Sequence, residues 1–160
     1  MNFLFIAFLG VILMTGKPEK FPYKYWNDYD ALFKKYAAEN GIDWQLMKAI
    51  ALNESTLGQS WLVENKMWSS DGKSRGLMQL TVPTANDFEK VTAEQLDDAE
   101  TSIRIAAKFL KQLTGIFQGN TQKIVMSYNQ GAGNTLKGKL YAVEYFRRWE
   151  NHYKFVKENN

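Results

Sequence analysis

The stretch from Asp43 to Ser55, DWQLMKAIALNES, constrains the fold more than any other part of the chain. Asp43 suits a helix N-cap, its side-chain oxygen accepting from a free backbone N–H of the first turn. Met47, Ile50 and Ala51 then repeat at the spacing of one helix face. Glu54 follows on that face, four residues past Ile50 and seven past Met47. Burial against apolar surface and the negative end of the helix dipole both favour a protonated carboxyl there. The pattern predicts a core helix that ends in a general acid.

The same helical period recurs elsewhere. Asp28 is expected to cap a helix whose face is Tyr29, Leu32, Phe33 and Tyr36, closed by Gly41. Pro83 suits the first turn of a short helix through Phe88, and Thr92 with Gln95 forms a capping-box pattern. Asp97 or Asp98 opens a long helix with the face Ile103, Ala106, Ala107, Leu110, Leu113 and Phe117, broken at Gly119-Asn120. The short segment TQKIVMSYN leads into Gln130-Gly131-Ala132-Gly133, and LYAVEYFRRWENHYKFV forms the last helix. Between Gly58 and Arg75 the periodicity fails, and SSDGKSRG reads as a surface turn with room for a small hairpin. No strand pattern of any length and no internal repeat is present. The expected fold class is therefore mainly α, a single helical domain with at most a small β-hairpin. At 160 residues the chain has the length of one domain able to bury a core without disulfides.

Residues 1–16 read as a hydrophobic signal or anchor segment, because Asn2 to Gly16 carries no charge and Lys17-Pro18-Glu19-Lys20 ends the run sharply. The run matches a signal peptide's apolar region and is short for a transmembrane helix of about 20 residues. No Ala-x-Ala precedes Lys17, which favours retention as an anchor over cleavage. Lys17, Lys20 and Lys24 on the far flank pull against export, so orientation stays open. Residues 17–27, with two of the three prolines, are expected to be a linker. The domain is then 28–156, followed by a polar tail at 157–160. Location is expected to be exported or membrane-associated, in a periplasm, cell envelope or virion membrane.

Residue usage narrows the chemistry. The absence of cysteine removes disulfides, thiolate metal sites and a Cys nucleophile. A single histidine, His152, removes an HExxH zinc site, and its setting in NHYKF suits the exposed end of a terminal helix rather than a triad. The net charge of +3 has its basic residues interspersed with acidic ones, so no nucleic-acid partner is expected. Carboxylate chemistry is what survives, with no metal or cofactor.

Three polar signatures stand in a fixed order: Glu54-Ser55 at a helix end, Gly76-Leu77-Met78-Gln79 after a loop, and Ser127-Tyr128-Asn129 followed by Gln130-Gly131. Together, over Asp28 to Val156, they resemble the lysozyme-like lytic transglycosylases that cleave peptidoglycan. The third motif of that family usually begins with Ala, where this chain has Ser127. Tyr145-Phe146, with Trp149 and Tyr153 beyond, matches the fourth motif at the start of the last helix.

The resemblance implies an α+β lysozyme-like fold with a sugar cleft. It implies that Glu54 protonates the glycosidic oxygen between N-acetylmuramic acid and N-acetylglucosamine. As a base it then takes the proton of the muramyl C6 hydroxyl as that oxygen closes on C1, leaving a 1,6-anhydro end. It further implies substrate contacts from Ser55, Gln79, Tyr128, Asn129 and Gly131, an apolar wall from Leu77 and Met78, and Tyr145 orienting Glu54. The expected partner is the peptidoglycan glycan strand, with the membrane reached through residues 1–16. Two alternatives stay open. Asp71 and Glu64 are the nearby candidates for a second acid, and Asp71 facing the cleft and holding a water would make the protein a hydrolysing muramidase. A chain that kept the fold without turnover would be a wall-binding component of a virion or secretion assembly.

Overall fold

The computed structural model describes residues 23–160. In them the chain runs through α1 (Asp30–Asn40), α2 (Trp44–Ser55), α3 (Trp61–Glu64), β1 (Ser74–Arg75), β2 (Leu80–Thr81), α4 (Val82–Asn86), a 3-10 turn at Glu94–Asp97, α5 (Ala99–Ile116), α6 (Thr121–Gln130), α7 (Ala132–Leu136) and α8 (Val143–Asn159). The expected signal or anchor segment, 1–16, lies outside the described residues. No described helix is long and apolar enough to cross a membrane.

Helix α2 is the axis of the bundle. Asp43 caps it, accepting from the Gln45 N–H at 2.8 Å, and Gly41 closes α1 just before, in the left-handed conformation at φ 68°. Met47, Ala49, Ile50 and Ala51 are fully buried, so α2 is enclosed on more than the stripe its period predicts. Helix α8 packs along it most extensively, with α1 on another side. Helix α5 packs against α1 and α6 through Ile103, Ala106, Ala107, Leu110 and Leu113, all fully buried. Each large aliphatic side chain so buried contributes about 1.5–3 kcal/mol. Asp98 is the N-cap of α5, accepting from Thr101 N at 2.8 Å.

The domain is wider at both ends than its sequence suggests. Residues Tyr23 to Asn27 are not a free linker: Trp26 is buried, with its ring 5.7 Å from Tyr23 and 5.2 Å from Phe155. Asp28 does not cap α1, which begins at Asp30 with Tyr29 in the cap position. Residues 157–160 are no tail either, since α8 runs to Asn159. Lys48, fully buried on α2, touches both ends. Its ammonium lies 2.7 Å from Asp30 Oδ1, donates to Asn160 Oδ1 at 2.9 Å and sits 3.9 Å from the centre of the Trp26 ring. A buried cation demands partners, and these are drawn from both ends of the described chain.

Strands β1 and β2 form one short antiparallel hairpin in register Ser74↔Thr81 and Arg75↔Leu80. Its connection is Gly76-Leu77-Met78-Gln79, so the hairpin begins where the turn-rich segment ends.

Candidate active site

Glu54 stands in the last turn of α2, partly exposed at the wall of a cavity of ≈ 100 Å³. Gln79, Thr81, Thr84, Tyr128 and Asn129 line the same cavity. Tyr145, buried on α8, donates its hydroxyl to Glu54 Oε1 at 2.6 Å. Desolvation by the surrounding core raises the Glu54 carboxyl to about 7, against the opposing pull of the Tyr145 hydrogen bond and the Arg148 charge. The group is thus balanced between acid and base near neutral pH, as proton transfer in both directions requires. Burial and the Glu54 charge push the Tyr145 phenol well above its ordinary range, so it remains a donor.

The chain turns sharply behind Glu54. Thr56 and Leu57 both take positive φ, 54° each, which costs L-residues about 1–2 kcal/mol apiece. Ser55 anchors that turn. Its Oγ donates to the Leu77 carbonyl at 2.7 Å and accepts from Gly58 N at 2.9 Å.

The opposite wall is the hairpin connection, held by side chains from three helices. Besides Ser55 of α2, Ser102 of α5 accepts from Met78 N at 3.1 Å, and Tyr128 of α6 donates to the Met78 carbonyl at 2.8 Å. Gly76, at φ 78°, packs so closely that a Cβ would lie 1.8 Å from the Leu96 carbonyl oxygen. Gln79 takes φ 46° and donates its amide Nε2 to the Gly76 carbonyl at 2.8 Å. Its own loop therefore uses half of that amide, and Oε1 has no donor among the described residues.

Of the residues singled out in sequence, Glu54, Gln79, Tyr128 and Asn129 meet at the cavity and Tyr145 touches Glu54. Asn129 is exposed there and makes no hydrogen bond among the described residues. Four others fall elsewhere. Ser55 is buried, with its hydroxyl spent on the backbone, so it cannot reach a sugar. Leu77 and Met78 are no cleft wall: both side chains are buried in the core and only their carbonyls serve the site. Gly131 closes α6 at φ 83° and does not line the cavity. Asp71 organises the turn before β1, accepting from Lys73 N at 3.1 Å, and Glu64 pairs with Tyr25 and Lys24. Among the described residues, no carboxylate but Glu54 lines the cavity.

Sequence reasoning missed Ser74, Leu80, Thr81, Thr84 and Phe109 of the lining, and Asn53, whose Nδ2 donates to the Tyr145 carbonyl at 3.2 Å. Only Phe109 carried a signal, an extra apolar residue beside the stripe of α5; its ring lies 5.3 Å from that of Tyr128. Ser127, where the resembled family has Ala, is fully buried with no hydrogen-bond partner for Oγ among the described residues. Nor do the described residues hold a group of three acidic, His or Cys side chains placed for a metal ion.

Comparison with known proteins places this geometry in context. A family model described as the transglycosylase SLT domain matches residues 31–148. The peptidoglycan transglycosylase gp16 of Escherichia phage T7 is 33% identical over 120 residues, covering 72% of this chain and 9% of that relative. The membrane-bound lytic murein transglycosylase F of Marinobacter nauticus is 34% identical over 116 residues, covering 66% of this chain and 20% of the relative. The chain therefore spans a fifth or less of the length of these relatives. In structure it is similar to an inactive mutant of the lytic transglycosylase Slt from Pseudomonas aeruginosa. The TM-score is 0.58 at 23% identity, covering 83% of this chain and 24% of that one. This likeness carries the mainly α, lysozyme-like fold.

Proposed function

This chain belongs to the transglycosylase SLT domain family, and on that premise we propose that it is a peptidoglycan lytic transglycosylase acting through Glu54 alone. It cleaves the β-1,4 bond between N-acetylmuramic acid and N-acetylglucosamine. The observation that carries this reading is the pairing of Glu54 with Tyr145 in a desolvated wall where no second carboxylate stands among the described residues.

At neutral pH a large share of Glu54 is protonated. With Oε1 occupied by the Tyr145 hydroxyl, Oε2 carries the proton to the departing glycosidic oxygen. The carboxylate that remains is stabilised by the Tyr145 hydrogen bond and by the Arg148 charge. It then removes the proton of the muramyl C6 hydroxyl as that oxygen bonds to C1, which regenerates the acid and leaves a 1,6-anhydro end. Most glycosidases that place water at C1 use a second carboxylate in addition to the acid. Asn129 and the free amide oxygen of Gln79 are positioned to bind acetamido or hydroxyl groups, and Tyr128 acts by holding the Met78 carbonyl.

The catalytic domain comprises the described residues, and residues 1–16 serve as a targeting or anchoring segment that brings it to the cell envelope. Relatives named for membrane-bound and phage wall-acting transglycosylases support that setting. The test is to incubate the full chain with purified peptidoglycan and analyse the released muropeptides by mass. Anhydro ends are expected, and Glu54→Gln abolishes their release. Reducing ends would replace this reading with a hydrolysing muramidase.

A further inference from the structure

Beyond the Glu54 cavity, the hairpin carries a second opening. A groove of ≈ 400 Å³, mostly apolar, lies between Trp68, Gly72 and Lys73 on one side and Thr81, Val82 and Pro83 on the other. Thr81 lines both openings, so the groove adjoins the cavity in which Glu54 stands at that residue.

Trp68 keeps 38% of its surface exposed. Its ring has a charged neighbour. The Arg75 guanidinium lies 5.5 Å from the ring centroid and is itself locked to both oxygens of Asp97 at 2.9 and 2.8 Å. Arg75 does not line the groove. The indole thus lines the groove with a held guanidinium beside its ring.

We propose that Trp68 is a sugar-stacking platform, a distal subsite that holds the glycan strand where it leaves the Glu54 cavity. This deepens the transglycosylase reading and rests on it. The substrate is a polymer, so its strand must continue past the Glu54 cavity along an adjoining surface. Pyranose rings present faces of C–H groups that pack on an aromatic plane, and N-acetyl methyls suit an apolar floor such as Val82 and Pro83. The charged stem peptides fit less well, because Lys73 is the one charged residue among the described residues that line the groove.

The test uses the full chain on linear glycan strands stripped of their peptides. Trp68→Ala is expected to raise KM about tenfold, the loss falling on KM rather than kcat, and Trp68→Tyr is expected to recover most of it. A Trp68→Ala KM within twofold of wild type overturns the platform while leaving the transglycosylase reading intact. A wild-type chain that releases no anhydro product from strands or whole peptidoglycan overturns the reading and the platform with it. Binding offers a readout independent of turnover. In the Glu54→Gln chain the indole N–H resonance assigned to Trp68 should shift on titration with N-acetylglucosamine hexamer. Saturation without that shift also overturns the platform.

Discussion

The hydroxyl of Tyr145 on α8 donates to Glu54 Oε1 on α2 at 2.6 Å, and Asn53, next to Glu54, donates back to the Tyr145 carbonyl at 3.2 Å. The two helices that pack most extensively are thereby registered to one another at the carboxyl that carries the chemistry. Core packing and acid–base poise share one contact.

Glu54 must be protonated for the first proton transfer, so kcat/KM on peptidoglycan is expected to fall as pH rises through about 7. The Tyr145 hydrogen bond favours the carboxylate, and Tyr145→Phe removes it. That variant should move the fall to higher pH and lower the maximal rate by about 10–100-fold, from a charge-assisted bond of about 1.5–3 kcal/mol. A pH profile of Tyr145→Phe that matches the wild type would show that the bond does not tune Glu54.

Glu54 also links stability to pH. Its folded pKa, about 7, lies above the unfolded value near 4.5, so the folded state binds more protons between them. Folding is therefore free of this penalty below pH 4.5, loses stability as pH rises, and bears the full cost above 7. Glu54→Gln should leave denaturant midpoints unchanged at pH 4 and stabilise by up to about 3 kcal/mol at pH 8.

Ser55→Ala separates anchoring from binding. It strips a partner from the Leu77 carbonyl and from Gly58 N, which costs about 1–3 kcal/mol. Thermal unfolding should move down, while KM measured well below the midpoint changes little. A large rise in KM without loss of stability would instead make Ser55 a sugar ligand.

Gly76→Ala should be severe. The added methyl meets the Leu96 carbonyl oxygen and the residue is forced to hold φ 78°. A loss of at least about 2 kcal/mol in stability is expected, together with weakened strand binding as the Gln79 wall shifts. Chemical denaturation and strand KM measure the two effects.

Ser127→Ala is expected to stabilise the protein by about 1 kcal/mol, because it removes a buried hydroxyl that has no hydrogen-bond partner among the described residues. An unchanged or lowered denaturation midpoint would point to a partner for that hydroxyl.

The helices were legible in the chain because their signals are local. Asp43, Gly41 and Asp98 punctuate them as their capping chemistry dictates, and the stripe of α5 is buried as its period requires. What misled were residues whose partners are distant in sequence. Ser55 sits beside Glu54 in the chain yet turns its hydroxyl to Leu77, and Tyr23 to Asn27 read as linker because the Phe155 ring and the Lys48 ammonium that bury Trp26 belong to other helices.

The sequence by itself determined that one acid stands on an apolar helix face, that no Cys or His cluster competes with it, and that three polar signatures follow in order. Only the tertiary structure decided which of those residues face the cavity. Desolvation of Glu54, the hydroxyl that reaches it and the loop opposite it all depend on side chains brought together from α2, α5, α6 and α8. Burial and electrostatic fields are sums over neighbours in space, and a linear pattern records only neighbours along the chain.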